Sequence, residues 1–199
     1  MRDFRNWTDT EIEEAEAAGA LLFVIGLQVL LAVLSEQRGW KLWTLPWWIW
    51  LILVGPELVL LVLLWLAHPR GKFALSVVMG GVNLLAVIAL IGSIIESHEH
   101  NGGQLLLKGL TVWATNVTAF GILFWEIGQF QFPQEQNGDP TWKPSFFDFF
   151  YVSFTNSIAF SPTDAMPLSR RTKLLMLSES AVSAVSILLV TARSVNIFK

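Results

Sequence analysis

Three groups of side chains in this chain have types and spacings that could do chemistry in an apolar setting. Glu57 follows Pro56 in the middle of a long apolar run, and Glu179 heads a series with Ser183, Ser186, Val190 and Arg193 in another. The spacing i, i+4, i+7, i+11 and i+14 holds that series on one helical stripe. An ionisable group inside a spanning helix costs about 2.5–3.5 kcal/mol on insertion scales, so it faces a cavity, a partner or the bundle interior. The stripe therefore has two readings: Glu179, Ser183 and Ser186 line a water-filled path, or they are polar glue between helices. Beside the rung that Pro56 removes, the Glu57 carboxyl suggests a proton or cation contact. The alternative is a neutral carboxyl, or one paired with a polar group on a neighbouring helix such as Asn83 or Asn116.

The third group is Ser157-Ile158-Ala159-Phe160-Ser161-Pro162-Thr163-Asp164, a polar turn between a short aromatic segment and a long apolar one. Its hydroxyls and carboxylate could line an opening, and a ring of acids favours cations. Equally, Pro162 and Asp164 are ordinary turn formers that would stop one helix and cap the next. The stretch Glu96-Ser-His98-Glu-His100-Asn-Gly-Gly103 offers a His-x-His pair with carboxylates, but no third histidine is near in sequence. It reads as a solvated linker, at most a pH-sensitive patch, and no metal site or cofactor is expected. There is no nucleophile elbow, P-loop or dinucleotide fingerprint, so an enzyme is not expected, and Gly80-Gly81 is assigned to close helix packing. Cysteine is absent, which excludes disulfides and thiolate chemistry, and a formal charge of −3 gives no support for nucleic-acid binding.

The elements that must position these groups are membrane helices. Of 199 residues, 53% are hydrophobic and 15% charged, mean hydropathy is +0.53, and the apolar residues come in long blocks. The lipid bilayer is the expected solvent. Five spans are drawn at Ala17–Ser35, Leu45–Ala67, Phe73–Ile95, Leu105–Trp125 and Leu174–Phe198, each near the ~20 residues that a helix needs to cross the hydrocarbon core. Tryptophans at block edges, among them Trp40, Trp47, Trp65, Trp125 and Trp142, suit the interfacial belt. The acidic start, Asp9 to Glu16, is expected to be a solvated helix beginning, capped through Thr8-Asp9-Thr10-Glu11 or Thr10-x-x-Glu13, rather than a cleaved signal. Gln129 to Pro144 reads as a wet loop with turns at Asn137-Gly138 and Asp139-Pro140. The aromatic segment Phe146 to Ile158 is too short to span, which points to a re-entrant helix wedged between longer ones. The fold class expected is all-α: an acidic segment 1–16, a three-helix region 17–103, and a helix, re-entrant loop and helix at 104–199.

The run Asp148-Phe-Phe-Tyr151-Val-Ser153-Phe154-Thr155-Asn156, then Ser161-Pro162-Thr163-Asp164 and Pro167-Leu168-Ser169-Arg170, resembles the pore helix, filter and outer turn of two-helix tetrameric cation channels of the potassium-channel superfamily. The closing helix, with Lys173, Glu179 and Ser183, resembles their inner helix, Ser183 standing where a hinge glycine is common. The same third of the chain also resembles a bacterial family of inner-membrane proteins of unknown function. The resemblance implies a homotetramer around the last helix, conducting monovalent cations in a bacterial inner membrane. Ser161 and Thr163 replace filter glycines and Pro162 removes a donor, so a weakly selective path is expected rather than a potassium-selective carbonyl ladder. The rival expectation is a non-conducting scaffold or sensor that keeps the pore-module fold. Topology divides the expectations too. A loop that enters from outside leaves Arg70, Lys72, Arg170, Arg171 and Lys173 outside, against the positive-inside rule.

Overall fold

A computed structural model describes residues 9–40, 46–65, 69–95, 102–133, 142–158 and 165–197. These form six helices, α1 (Asp9–Arg38), α2 (Ile49–Trp65), α3 (Pro69–Ile95), α4 (Gly102–Ile127), α5 (Phe146–Ser157) and α6 (Arg170–Ile197), plus two-residue strands β1 (Phe130–Gln131) and β2 (Met166–Pro167). Three helices are long and apolar enough to cross a membrane, at Ile12–Arg38, Gly102–Ile127 and Arg170–Arg193, while Val54–Leu64 and Val77–Gly92 are shorter apolar stretches. Asp9–Arg38 is one continuous helix, so the acidic segment and the first apolar block are a single element. Thr8, its expected cap, lies outside the described residues.

The long helices run alternately up and down, and their packing gives the order. Ala17 and Leu21 of α1 pack with Leu60 and Leu64 of α2, Met79 of α3 and Ala119 and Ile122 of α4. At the other end, Leu31 and Ala32 meet Ala86, Val87 and Leu90 of α3, Leu105 and Val112 of α4, and Val190 of α6. Helix α4 is the axle. In its most apolar window 78% of residues are buried, against 24% in α6. Such a helix must be satisfied by protein on all sides, and its hydroxyls at Thr111 and Thr115 donate back to carbonyls one turn earlier, Leu107 and Thr111, both at 2.9 Å.

Close packing falls elsewhere than expected. A Cβ added at Gly80 or Gly81 meets nothing within 4 Å, so this pair makes no close helix contact among the described residues. The close approaches are on α4: a Cβ at Gly109 would lie 2.6 Å from Val190 Cγ1, and one at Gly121 would lie 3.3 Å from Phe150. A pair of glycines in sequence does not say which face meets a neighbour. Gly128 at φ +58°, whose N–H donates to Phe124 O at 2.9 Å, closes α4 in the left-handed conformation that glycine adopts without strain.

Candidate functional site

The short helix α5 dives into the bundle and the chain returns to the end it left. At its start, Phe146 meets Trp125 edge-on at 5.5 Å, near the C-terminus of α4. Midway, Ser153 donates to Val117 O at 2.7 Å. At its end, Trp113 Nε1 donates to Ser157 Oγ at 3.1 Å. Trp113 and Trp125 are separated by about 18 Å along α4, the length of twelve helical residues. Helix α5 therefore lies antiparallel to α4 from its end to near its middle. The chain is then back at that end by β2, which pairs antiparallel with β1 (Phe130↔Pro167, Gln131↔Met166), and Leu168 N–H donates to Gln129 O at 3.0 Å. The strand pair joins the end of α4 to the start of α6.

Local chemistry fixes both helix starts. Asp148 accepts from Ser145 N–H at 2.7 Å and from Ser145 Oγ at 3.2 Å, satisfying an otherwise orphaned donor ahead of α5. Ser169 Oγ accepts from Thr172 N–H at 3.2 Å at the start of α6. The acidic start of α1 is not simply solvated. Glu16 accepts from Phe147 N–H at 3.1 Å, a carboxylate at the N-terminus of α5 where the helix dipole favours it, and Glu13 accepts from Trp125 Nε1 at 3.3 Å. The segment from Gln129 is likewise not a wet loop at its beginning. Phe130 is buried and packs edge-on against Phe124 and Phe149. The turns at Asn137-Gly138 and Asp139-Pro140 lie outside the described residues.

Two buried polar clusters meet on α4, one through Asn116 and the other through its neighbour Thr115. The first locks α5. Glu179 of α6, fully buried, accepts from Asn156 Nδ2 at 2.6 Å on one carboxylate oxygen, and its other oxygen meets Ser153 Oγ, whose single proton is shared with Val117 O. Asn156 also donates to Met176 O at 2.9 Å, and Ser180 Oγ donates to Asn156 Oδ1 at 3.1 Å. One turn further along α6, Ser183 Oγ accepts from Asn116 Nδ2 at 2.9 Å. Ser186 turns its hydroxyl to Val182 O at 2.8 Å, and Val190 fills the notch at Gly109. The stripe from Glu179 to Val190 thus faces α4 and α5 of its own chain.

The second cluster joins α1, α2 and α4. Gln28 Nε2 donates to Glu57 Oε1 at 2.6 Å and to Thr115 Oγ1 at 3.2 Å, and Gln28 and Glu57 are fully buried. Glu57 is therefore paired with Gln28, not with Asn83 or Asn116. Asn116 belongs to the first cluster, and buried Asn83 has no hydrogen-bond partner for either amide atom among the described residues. Lys108, fully buried two turns from Thr115 on the same face of α4, has an interaction of its own.

Of the expected loop, Ser157 is buried, and Ile158 is half-buried just beyond α5; Ala159, Phe160, Ser161, Pro162, Thr163 and Asp164 lie outside the described residues, as does the His98 stretch. Helix α5 is wedged on one face only. Phe146, Phe149 and Val152 are buried, whereas Phe147, Tyr151 and Phe154 are exposed. With Ala20 and Phe23 of α1 and Trp113 of α4, Phe147, Phe150 and Phe154 line a groove of about 520 Å³. Among the described residues no group of three or more His, Cys, Asp or Glu could hold a metal ion. The chain matches no family model, no curated protein and no solved structure in the comparisons made.

Proposed function

We propose that this chain is an integral membrane protein with five spanning helices and a re-entrant helix and loop, and that it assembles as a homo-oligomer enclosing a weakly selective cation pathway. The observation that carries this reading is the path of α5, which descends to the middle of the bundle, after which the chain is back at the same end at β2, paired with β1. In lipid, non-helical backbone at such depth is tolerated only where protein or a water-filled path covers it. A loop from one chain cannot enclose a path, and closed rotational symmetry supplies the missing walls; four copies follow the resemblance to tetrameric cation channels. Exposed Leu174, Leu177, Val185 and Leu188 on α6, with Phe147, Tyr151 and Phe154 on α5, are the apolar surface left for lipid and neighbouring copies. Helices α2 and α3 complete the five spans, with the uncharged stretch 49–55 and the run Phe73–Ile95 adding to their shorter apolar cores.

A second reading has its own support. The polar stripe of α6 is spent within the chain on α4 and α5, as glue between helices would be, which suits a non-conducting scaffold or sensor. Neither reading calls for a catalytic residue or cofactor. Native mass spectrometry from detergent separates an enclosed path from a lone bundle: a closed oligomer is expected, and a stable monomer would remove the pore.

A further inference from the structure

The second cluster, on α1, α2 and α4, leaves two buried oxygens without a hydrogen-bond partner among the described residues. They are Gln28 Oε1 and Glu57 Oε2, and both side chains are fully buried. Each belongs to the same bonded pair, since Gln28 Nε2 donates to Glu57 Oε1 at 2.6 Å. Thr115 Oγ1 accepts from the same Nε2 at 3.2 Å and gives its own proton to Thr111 O. A carboxyl, an amide and a hydroxyl from three different helices thus meet around one amide nitrogen, with the second oxygen of Gln28 and Glu57 left over.

We propose that Glu57, Gln28 and Thr115 bind a dehydrated monovalent metal cation between α1, α2 and α4. A buried polar oxygen without a partner is costly, and a buried charge without one more so, so two such atoms on one bonded pair call for a shared partner. The donor set is all oxygen, which suits a hard cation rather than a transition metal. A single carboxylate sets the valence, because one positive charge leaves the site neutral whereas a divalent ion leaves an uncompensated charge among apolar side chains. Lys108 is the other charged group on this face of α4, two turns away and engaged in its own contact. Its residues lie on α1, α2 and α4 and not on α5, so the site does not depend on the chain conducting.

Thermal unfolding of the purified protein in detergent tests the proposal, with sodium, potassium or lithium chloride compared against N-methylglucamine chloride at equal ionic strength and fixed pH. At least one alkali cation is expected to raise the melting temperature saturably, with the shift lost in Glu57→Gln. Gln28→Met and Thr115→Val each remove one oxygen and keep the charge, and are expected to raise the half-saturating concentration about tenfold; they serve if Glu57→Gln does not fold. Equal shifts with N-methylglucamine, or a shift that survives unchanged in the variants, would overturn the site. A stability that follows pH alone, without dependence on alkali cation, would assign the oxygens to a proton and overturn it as well.

Discussion

Asn116 on α4 donates its side-chain amide to the Ser183 hydroxyl on α6 at 2.9 Å, both residues lying in the interior of the bundle. Two helices that face each other through aliphatic side chains can slide by a turn at little cost. One buried hydrogen bond between them makes that slide leave a donor and an acceptor unpaired. Asn116→Leu is therefore expected to cost about 0.6 to 1.7 kcal/mol, the range for interhelical bonds in membrane bundles. Adding Ser183→Ala should return part of the loss. Thermal unfolding of the single and double variants measures the coupling, and strictly additive losses would show that the pair is not coupled.

The notch at Gly109 sets how closely α6 approaches α4. Its missing Cβ leaves room for Val190, which a methyl would meet at 2.6 Å. Gly109→Ala is expected to destabilise by about 1–3 kcal/mol through overpacking, and Val190→Ala in the same chain should relieve it. A melting temperature unchanged by Gly109→Ala would show that α6 rides further out.

Glu179 has a partner on each carboxylate oxygen, Ser153 on one and Asn156 on the other. Glu179→Gln keeps the shape and removes the charge; with its oxygen on Asn156, its NH2 group turns to Ser153 Oγ, whose proton then goes to Val117 O. Exchanging a charged partner for a neutral one weakens the lock by about 1 kcal/mol. Stability and cation flux are expected to fall together, because α5 loosens. A fall in flux at unchanged stability would mean that Glu179 acts through its charge and does not hold α5.

The alternating helices fix an orientation that can be labelled. The start of α1, the β1–β2 pair and the starts of α3 and α6 lie at one end, and α6 runs to the other. Arg70, Lys72, Arg170, Arg171 and Lys173 gather at the first end, so for the proposed membrane protein the positive-inside rule predicts that this end is cytoplasmic. Tags at the N-terminus and near Asn137 are expected to react from the cytoplasm and a C-terminal tag from the other side. Both termini reacting from one side would contradict the proposed five crossings.

Much of this arrangement is legible in the sequence because long apolar runs and the 3.6-residue period are local signals. The expected blocks Phe73–Ile95 and Leu105–Trp125 fall within α3 and α4, and Phe146 begins α5. Periodicity names a face but not what meets it. That is why the Glu179 stripe is legible as a polar face while its partners Ser153 and Asn156 are not. Gln28 is the residue of the other cluster that sequence reasoning misses. A lone amide in an otherwise apolar span is the available signal, and only the packing of α1 on α2 pairs it with Glu57. Strands of two residues carry no period at all, so β1 and β2 read as loop and turn.

Cation flux from liposomes that hold the purified protein tests the central claim most directly, read as reversal potentials with sodium on one side and potassium on the other. On the resemblance to potassium-channel pore loops, Ser161 and Thr163 replace filter glycines and Pro162 the filter tyrosine, so a current that discriminates poorly between the two ions is expected. A strong potassium preference would contradict the account of the loop. No flux above empty liposomes, from protein that native mass spectrometry shows to be a closed oligomer, would contradict the pathway itself.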